Sequence, residues 1–216
     1  MLKESIIDSV KDLKFVISRG YKRPSALKFV GDKYGLNKIE RHILFRSVYP
    51  PEIIKAPLKK LIPIEKIEGK ILGIDGFNLI ITLEAIIKGN LIIICEDGLI
   101  RDISAVFEKF KATETTYKSL NLIFNLLKSH KPSEVIFLLD SPISNSGKLA
   151  EVIKNFYTKY NLKGEAKTSK NVDTEILKNE IVASSDNIII DKAEKVVDIP
   201  HFFIKTFKGE LLNFKE

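Results

Sequence analysis

Three aspartates stand where apolar, strand-like runs give way to polar turns, and a fourth stands at the start of a short helical stretch. Asp75 closes ILGID, Asp140 closes VIFLLD, Asp186 follows IVASS, and Asp173 lies in TSKNVDTEILK. A carboxylate at the carboxyl end of a buried strand lies where open α/β sheets bind their ligands. Acids drawn from distant parts of a chain to one such edge make an all-oxygen cleft able to hold a divalent cation. Groups suited to phosphate lie beside them. Asn78 follows the Gly76 turn. SPISNSGK sets Ser144, Ser146, the Gly147 amide and Lys148 at the start of a helical pattern, where backbone donors and the helix dipole favour an anion. Arg101 adds a planar guanidinium fork.

Each group also has a plainer role. An aspartate at a strand-to-turn junction caps the helix that follows, and acids such as Asp173 and Glu175 complement a helix dipole. The GxxxxGK[ST] spacing is absent, which excludes a P-loop. His42, His130 and His201 show no spacing for a metal or a nucleophile's base. Cys95 stands alone in an apolar strand, where it reads as a small core hydrophobe. A lone cysteine excludes an intramolecular disulfide and argues against a cysteine-rich zinc site.

The elements that must place these residues fall into two groups. Residues 3–19 carry Ile6, Ile7, Val10, Leu13 and Ile17 at helical spacing. Pro24 and Ser25 open a second helix whose apolar face is Ala26, Leu27, Phe29 and Val30. Asn37 caps a third, with Glu40 completing a capping box and Ile39, Ile43, Leu44 and Val48 turned inward. The last two helices outline a helix-turn-helix, with Lys38, Arg41, His42 and Arg46 on the exposed side. Four prolines between 49 and 63 predict an extended connector.

From residue 70 onward strand and helix patterns alternate. A strand at 70–74 leads into a helix closed by Gly89, and Asp97-Gly98 turns a hairpin between LIIIC and GLIRDI. A helix follows at about 104–128, then EVIFLLD as a strand, a helix at 147–160, a strand at 164–167 and a short helix at 172–179. IVAS, NIIID, KVVD and FFIKTF read as further strands. The alternation predicts an α/β fold with a largely parallel sheet and helices on both faces. The expected division is a basic three-helix module at 1–50, a connector at 51–69 and an α/β domain at 70–216.

The charge is divided unevenly. Residues 1–69 hold 15 Lys and Arg against 8 Asp and Glu, whereas the remaining residues hold 20 of each, so the whole net charge of +7 lies in the first third. A localised basic surface draws polyanions, with RNA the leading partner and DNA the alternative. Arg19, Lys22, Arg23, Lys38, Arg41 and Arg46 are its candidate contacts. No apolar run approaches the roughly 20 residues of a membrane span, and the composition predicts a cytoplasmic protein of undetermined oligomeric state.

RGYKRPSALKFVGDKYGLNKIERHILFR resembles the amino-terminal module of an uncharacterised two-module family, and LGIDGFNLIITLEAIIKGN, DGLIRDIS and LDSPISNSGKLAEVI resemble its carboxyl-terminal module. IDGFN followed by a helix is also similar to the opening of PIN-like and NYN-type ribonuclease domains. That resemblance implies a three-layer, Rossmann-like fold whose strand-end acids gather Mg²⁺ or Mn²⁺ to cleave RNA. It matches Asp75 to the first acid, Asp140 to the acid after the central strand, and Asp173 or Asp186 to the late acids. The hairpin and the serine-rich loop depart from the usual pattern. The expectation is a metal-dependent ribonuclease with Asp75, Asp140 and Asp186 as ligands. A non-catalytic nucleic-acid-binding adaptor and a small-molecule phosphotransferase or phosphatase are the alternatives.

Overall fold

The computed structural model describes residues 4–50, 54, 58–103 and 110–215. Three helices come first: α1 (Glu4–Ser18), α2 (Arg23–Lys33) and α3 (Lys38–Ser47). The α/β body then runs β1 (Ile71–Asp75), α4 (Gly76–Lys88), β2 (Ile92–Ile94), β3 (Ile100–Asp102), α5 (Glu114–His130) and β4 (Glu134–Asp140). It continues with α6 (Ser146–Tyr160), β5 (Gly164–Ser169), α7 (Val172–Glu175), β6 (Ile181–Ala183), α8 (Asn187–Lys192), α9 (Ile199–Phe203) and β7 (Leu211–Asn213).

β5, β4, β1 and β6 form, in that order, a parallel four-stranded sheet. Alternate side chains divide its two faces, as the two-residue strand period requires. Leu72, Ile74, Val135, Phe137 and Leu139 join the large core under α4, α5 and α6, with Phe124 of α5 at its centre. Ile136, Leu138 and Val182 face the other way, against Val172, Ile176, Ile189 and Ile190 from α7, α8 and the turn between them. The result is a three-layer α/β fold. The strand order reverses at β1, because the chain moves out to β4 and β5 and returns to β6 on the opposite side.

β1 passes into α4 without a loop. A Cβ at Gly76 would lie 2.5 Å from Leu139 Cδ2 and 3.0 Å from the Leu138 carbonyl, so only glycine lets the two strands approach at this turn. A second sheet, β3-β2-β7, flanks the first, with β2 antiparallel to β3 and parallel to β7. The helical module has its own core of Ile6, Leu13, Ala26, Val30 and Leu44. It docks on the second sheet where Ile43 of α3 meets Ile93, Cys95 and Leu212. The capping box of α3 is present on both sides, at 2.9 Å each, between Asn37 and Glu40.

Several expectations are corrected. NIIID is the helix α8 and not a strand, because the Asp186 carboxylate accepts the Ile188 amide at 2.8 Å and starts a helical turn. FFIKTF is α9 and a 3-10 turn at Ile204–Thr206, opened by Pro200 and by Asp198 accepting the His201 amide. KVVD contributes isolated bridges from Val196 to Leu61 and Val182. The helix expected from 104 begins at Glu114, and residues 104–109 of it lie outside the described residues. Ile7, Phe29 and Ile39, expected inside the helical module, are exposed. β7 had no signal beyond its leucines.

Phe124 is fully buried and stacks on Phe137 at 5.8 Å, with Phe156, Tyr157 and Tyr160 around it. Phe124→Ala is expected to lower stability by roughly 3–5 kcal/mol, read as a drop in the urea midpoint with an unchanged slope.

Candidate acidic site

Because all four strands of the main sheet are parallel, their carboxyl ends share one edge. Asp75 ends β1, Asp140 ends β4, Ser169 ends β5, and Ser184-Ser185-Asp186 follow β6. Strand alternation places Asp75, Asp140 and Ser184 on the face that α7 and α8 cover. Asp75 is only 6% exposed, and its Oδ2 accepts the Ser184 hydroxyl at 2.8 Å. Burial pushes its carboxyl up to about 7, and the charges of Asp140 and Asp186 add to the rise. The Ser184 hydroxyl and the Asn78 amide oppose it. Asp140, half-buried, is raised by burial and then by Asp173 and Asp186. Asp140 and Asp186 thus act on Asp75, and Asp173 and Asp186 act on Asp140. Among the described residues, no lysine or arginine forms a salt bridge with any of them.

Holding Asp75 ionised at neutral pH costs on the order of 4 kcal/mol at about 1.4 kcal/mol per pKa unit. Burial raises Asp198 as far, and there the carboxylate is spent on the Ile100 and His201 amides, so what distinguishes Asp75 is its place at the strand-end edge beside other acids. An all-oxygen donor set with excess negative charge suits a hard divalent cation. Among the described residues, however, no three His, Cys, Asp or Glu side chains are gathered closely enough to hold an ion between them. An ion of the Mg²⁺ type is usually held by one or two carboxylates, with water and substrate phosphate completing its shell.

The loop after β6 is clamped from three sides. Ser184 Oγ accepts the Asp186 amide at 3.0 Å while donating to Asp75. Asn78 Oδ1 accepts both the amide and the hydroxyl of Ser185, at 3.1 and 3.0 Å. Arg101 donates from Nε to the Ser185 carbonyl at 2.9 Å and from Nη2 to Asn187 Oδ1 at 2.8 Å. Its Nη1 and Nη2 also grip the Asp97 carboxylate at 2.8 and 2.6 Å. Ser184 and Ser185 are the residues sequence reasoning missed. Their only signal was the pair of hydroxyls directly before Asp186.

Several expected phosphate contacts are corrected by this network. Arg101 is 1% exposed with its donors committed, so it is a strut and not an open fork. Asn78 spends its carboxamide oxygen on Ser185. Ser146 is buried and donates to the Ser141 carbonyl at 3.4 Å. Ser144 and Lys148 are exposed at the start of α6, and the space beside Gly147 is open. Asp173 is exposed in the first turn of α7, and Asp186 caps α8.

The basic head is also partly committed inward. Arg23 lies between the rings of Phe45 and Tyr49, 4.5 and 4.1 Å from their centroids, and donates to the Phe45 carbonyl. Arg41 donates to the Leu36 carbonyl at 2.8 Å and pairs with Asp32 at 2.8 Å. Arg46 is half-buried where α3 meets the second sheet, and its carbonyl accepts the Cys95 thiol. Arg19, Lys22 and Lys38 face solvent. The buried side of α3 packs on β2 through Ile43, which makes it an interface helix.

Fold and site thus define a three-layer α/β protein with an acidic mouth and a docked helical head. Residues 64–202 match the domain of unknown function DUF5616, and residues 5–60 match the protein of unknown function DUF434. The chain belongs to this two-module family. It is similar to an uncharacterised protein of Methanocaldococcus jannaschii, 39% identical over 197 residues that span 90% of this chain and 94% of that protein. No solved structure matches it. No helix among the described residues is long and apolar enough to cross a membrane.

Two stability measurements follow from the clamp and from the buried acid. Arg101→Met leaves Asp97 buried without its partner and is expected to cost roughly 3–5 kcal/mol in urea denaturation. Adding Asp97→Asn should recover part of that loss, since no unpaired charge then remains. Asp75 keeps its proton to about pH 7 in the folded chain, whereas an unfolded aspartate loses it at about 3.9. The folded state therefore binds the extra proton between those values, and this group's contribution to stability falls as pH rises through that window. Asp75→Asn should raise Tm by roughly 10 °C at pH 8, as a cost on the order of 4 kcal/mol at about 2–4 °C per kcal/mol implies, and change it little at pH 4.

Proposed function

We propose that this chain is a metal-dependent phosphodiesterase that hydrolyses RNA, its helical head retaining the polyanion. The observation that carries the reading is a set of acids at the carboxyl edge of a parallel sheet that pair with no lysine or arginine among the described residues, with Asp75 pushed up to about 7 by burial and by its acidic neighbours. Such an edge, at the strand where the order reverses, is where α/β sheets place ligands. The likeness of IDGFN to PIN-like domains supports the same reading. Asp75 and Asp140 would hold Mg²⁺ or Mn²⁺. Asp186, which acts on both, is the better third acid than the exposed Asp173. The bound cation supplies screening of the phosphate and activation of a water. Ser184 fixes the Asp75 carboxylate and favours its ionised form. Ser144 and Lys148, at the start of α6, are placed to meet a phosphate oxygen.

A second reading, a nucleic-acid-binding protein without turnover, is favoured by the lack of a ready three-carboxylate cluster among the described residues. One assay separates the two. The full chain, given end-labelled single-stranded RNA, should cleave it with Mn²⁺ or Mg²⁺ and not in EDTA. The apparent affinity for the metal should rise with pH up to about 7, as the proton that metal-free Asp75 holds is displaced more easily. Asp75→Asn and Asp140→Asn should each reduce cleavage at least about 100-fold while circular dichroism shows a folded chain. Cleavage that survives both changes rejects the hydrolase assignment.

A further inference from the structure

The three most exposed large apolar side chains of the described residues all lie in the helical head: Phe29 at 64%, Tyr21 at 63% and Phe15 at 60%. The sequence pattern alone would bury Phe29, so its exposure is a property of the packed module. Cations alternate with the rings. Lys11 and Phe15 of α1 and Arg19, the residue just past its end, follow at four-residue spacing. The Arg19 guanidinium lies 5.3 Å from the Phe15 ring centroid. Tyr21 and Lys22 occupy the turn into α2, and Lys28 precedes Phe29.

The short turn makes α1 and α2 run back along each other, and the pair from Lys33 Nζ to Asp12 Oδ2 at 2.5 Å sets their register. One turn back from Lys33 along α2 is Phe29, and one turn on from Asp12 along α1 is Phe15. Both rings are therefore carried on the outer side of the same two-helix surface, with Tyr21 and Lys22 at its end.

We infer that this aromatic and basic face of α1 and α2 is a stacking platform for single-stranded nucleic acid. It names the strand state of the polyanion proposed above and rests on that reading. An unpaired base presents a π-face to Phe15, Tyr21 or Phe29, while its phosphate meets Arg19, Lys22 or Lys28. A duplex hides those base faces and would leave the rings in water. The surplus of seven positive charges in residues 1–69 supplies the charge complement. Phosphate contact by the exposed cations alone would need no exposed rings.

Binding is measured by fluorescence anisotropy on the full chain carrying Asp75→Asn, in EDTA, so that cleavage plays no part. The probes are a labelled oligouridine roughly 12 nucleotides long, within the site sizes such platforms cover, and an RNA duplex of equal length. At about 0.1 M salt the single strand should bind at least tenfold tighter than the duplex. Phe15→Ala with Phe29→Ala should weaken single-strand binding about tenfold or more while the salt slope stays unchanged. Phe15→Tyr with Phe29→Tyr should restore it, and Arg19→Ala with Lys22→Ala should flatten the slope.

Equal affinity for both probes, or an alanine pair that binds as the parent does, overturns the platform. So does the absence of binding together with a sedimenting dimer that the alanine pair dissociates, since the face then joins two copies of this chain. A parent chain that binds the single strand but cleaves nothing with Mn²⁺ or Mg²⁺ rejects only the hydrolase, and a parent chain that cleaves while the alanine pair binds unchanged rejects only the platform.

Discussion

The buried pair of Arg101 and Asp97 holds the two parts of this molecule in one arrangement. An arginine with 1% of its surface in water is tolerable only if its charge is matched and its donors are used. Here both conditions are met by groups from different segments: the hairpin carboxylate, the carbonyl that follows β6, and the Asn187 side chain at the start of α8. The same guanidinium faces Tyr49 at 5.3 Å, Tyr49 faces Arg23, and Arg23 faces Phe45. Rings and guanidiniums thus form one column from the helical head into the α/β body. Glu96, next to Asp97, accepts the Tyr49 amide at 3.2 Å and pairs with Lys14 of α1 at 2.5 Å.

That column matters for the acids because its inner end is the loop that carries Ser184, Ser185 and Asp186. Asp75 is locked to this loop by one hydroxyl, and Asn78 by two bonds to its neighbour. The position of the acidic edge is therefore set partly by contacts that begin in the head. The two ends of the molecule have opposite electrostatic character. At the edge, like charges are held together, and among the described residues no lysine or arginine forms a salt bridge with them. In the head, several cations are satisfied internally, by Asp12, Asp32 and Glu96, and the exposed remainder is interleaved with aromatic rings.

Much of the fold was legible because its signals are local. The strand runs of β1 and β4, the hairpin turn at Gly98, the Asn37–Glu40 capping box and the Gly89 terminus each depend on a few adjacent residues. The carboxyl-terminal third was read less well, because Ile188, Ile189 and Ile190 suit a strand by propensity. A cap from Asp186 and two isoleucines directed at the lower core made them a helix instead.

The sequence by itself determined which residue types stand at the strand ends and where the net charge lies, since composition and position need no coordinates. It could not decide how each charge is used. Arg101, Arg41 and Arg23 look like free cations in one dimension, yet partners 4 to 86 residues away consume or cover them. Phe29 looks like core and is left in water. Asp75 looks like a helix cap, and its altered protonation arises chiefly because the fold buries it, with Asp140 and Asp186, brought beside it by parallel pairing, adding to the rise. Burial and electrostatic coupling depend on distances through space, and only the folded chain sets those.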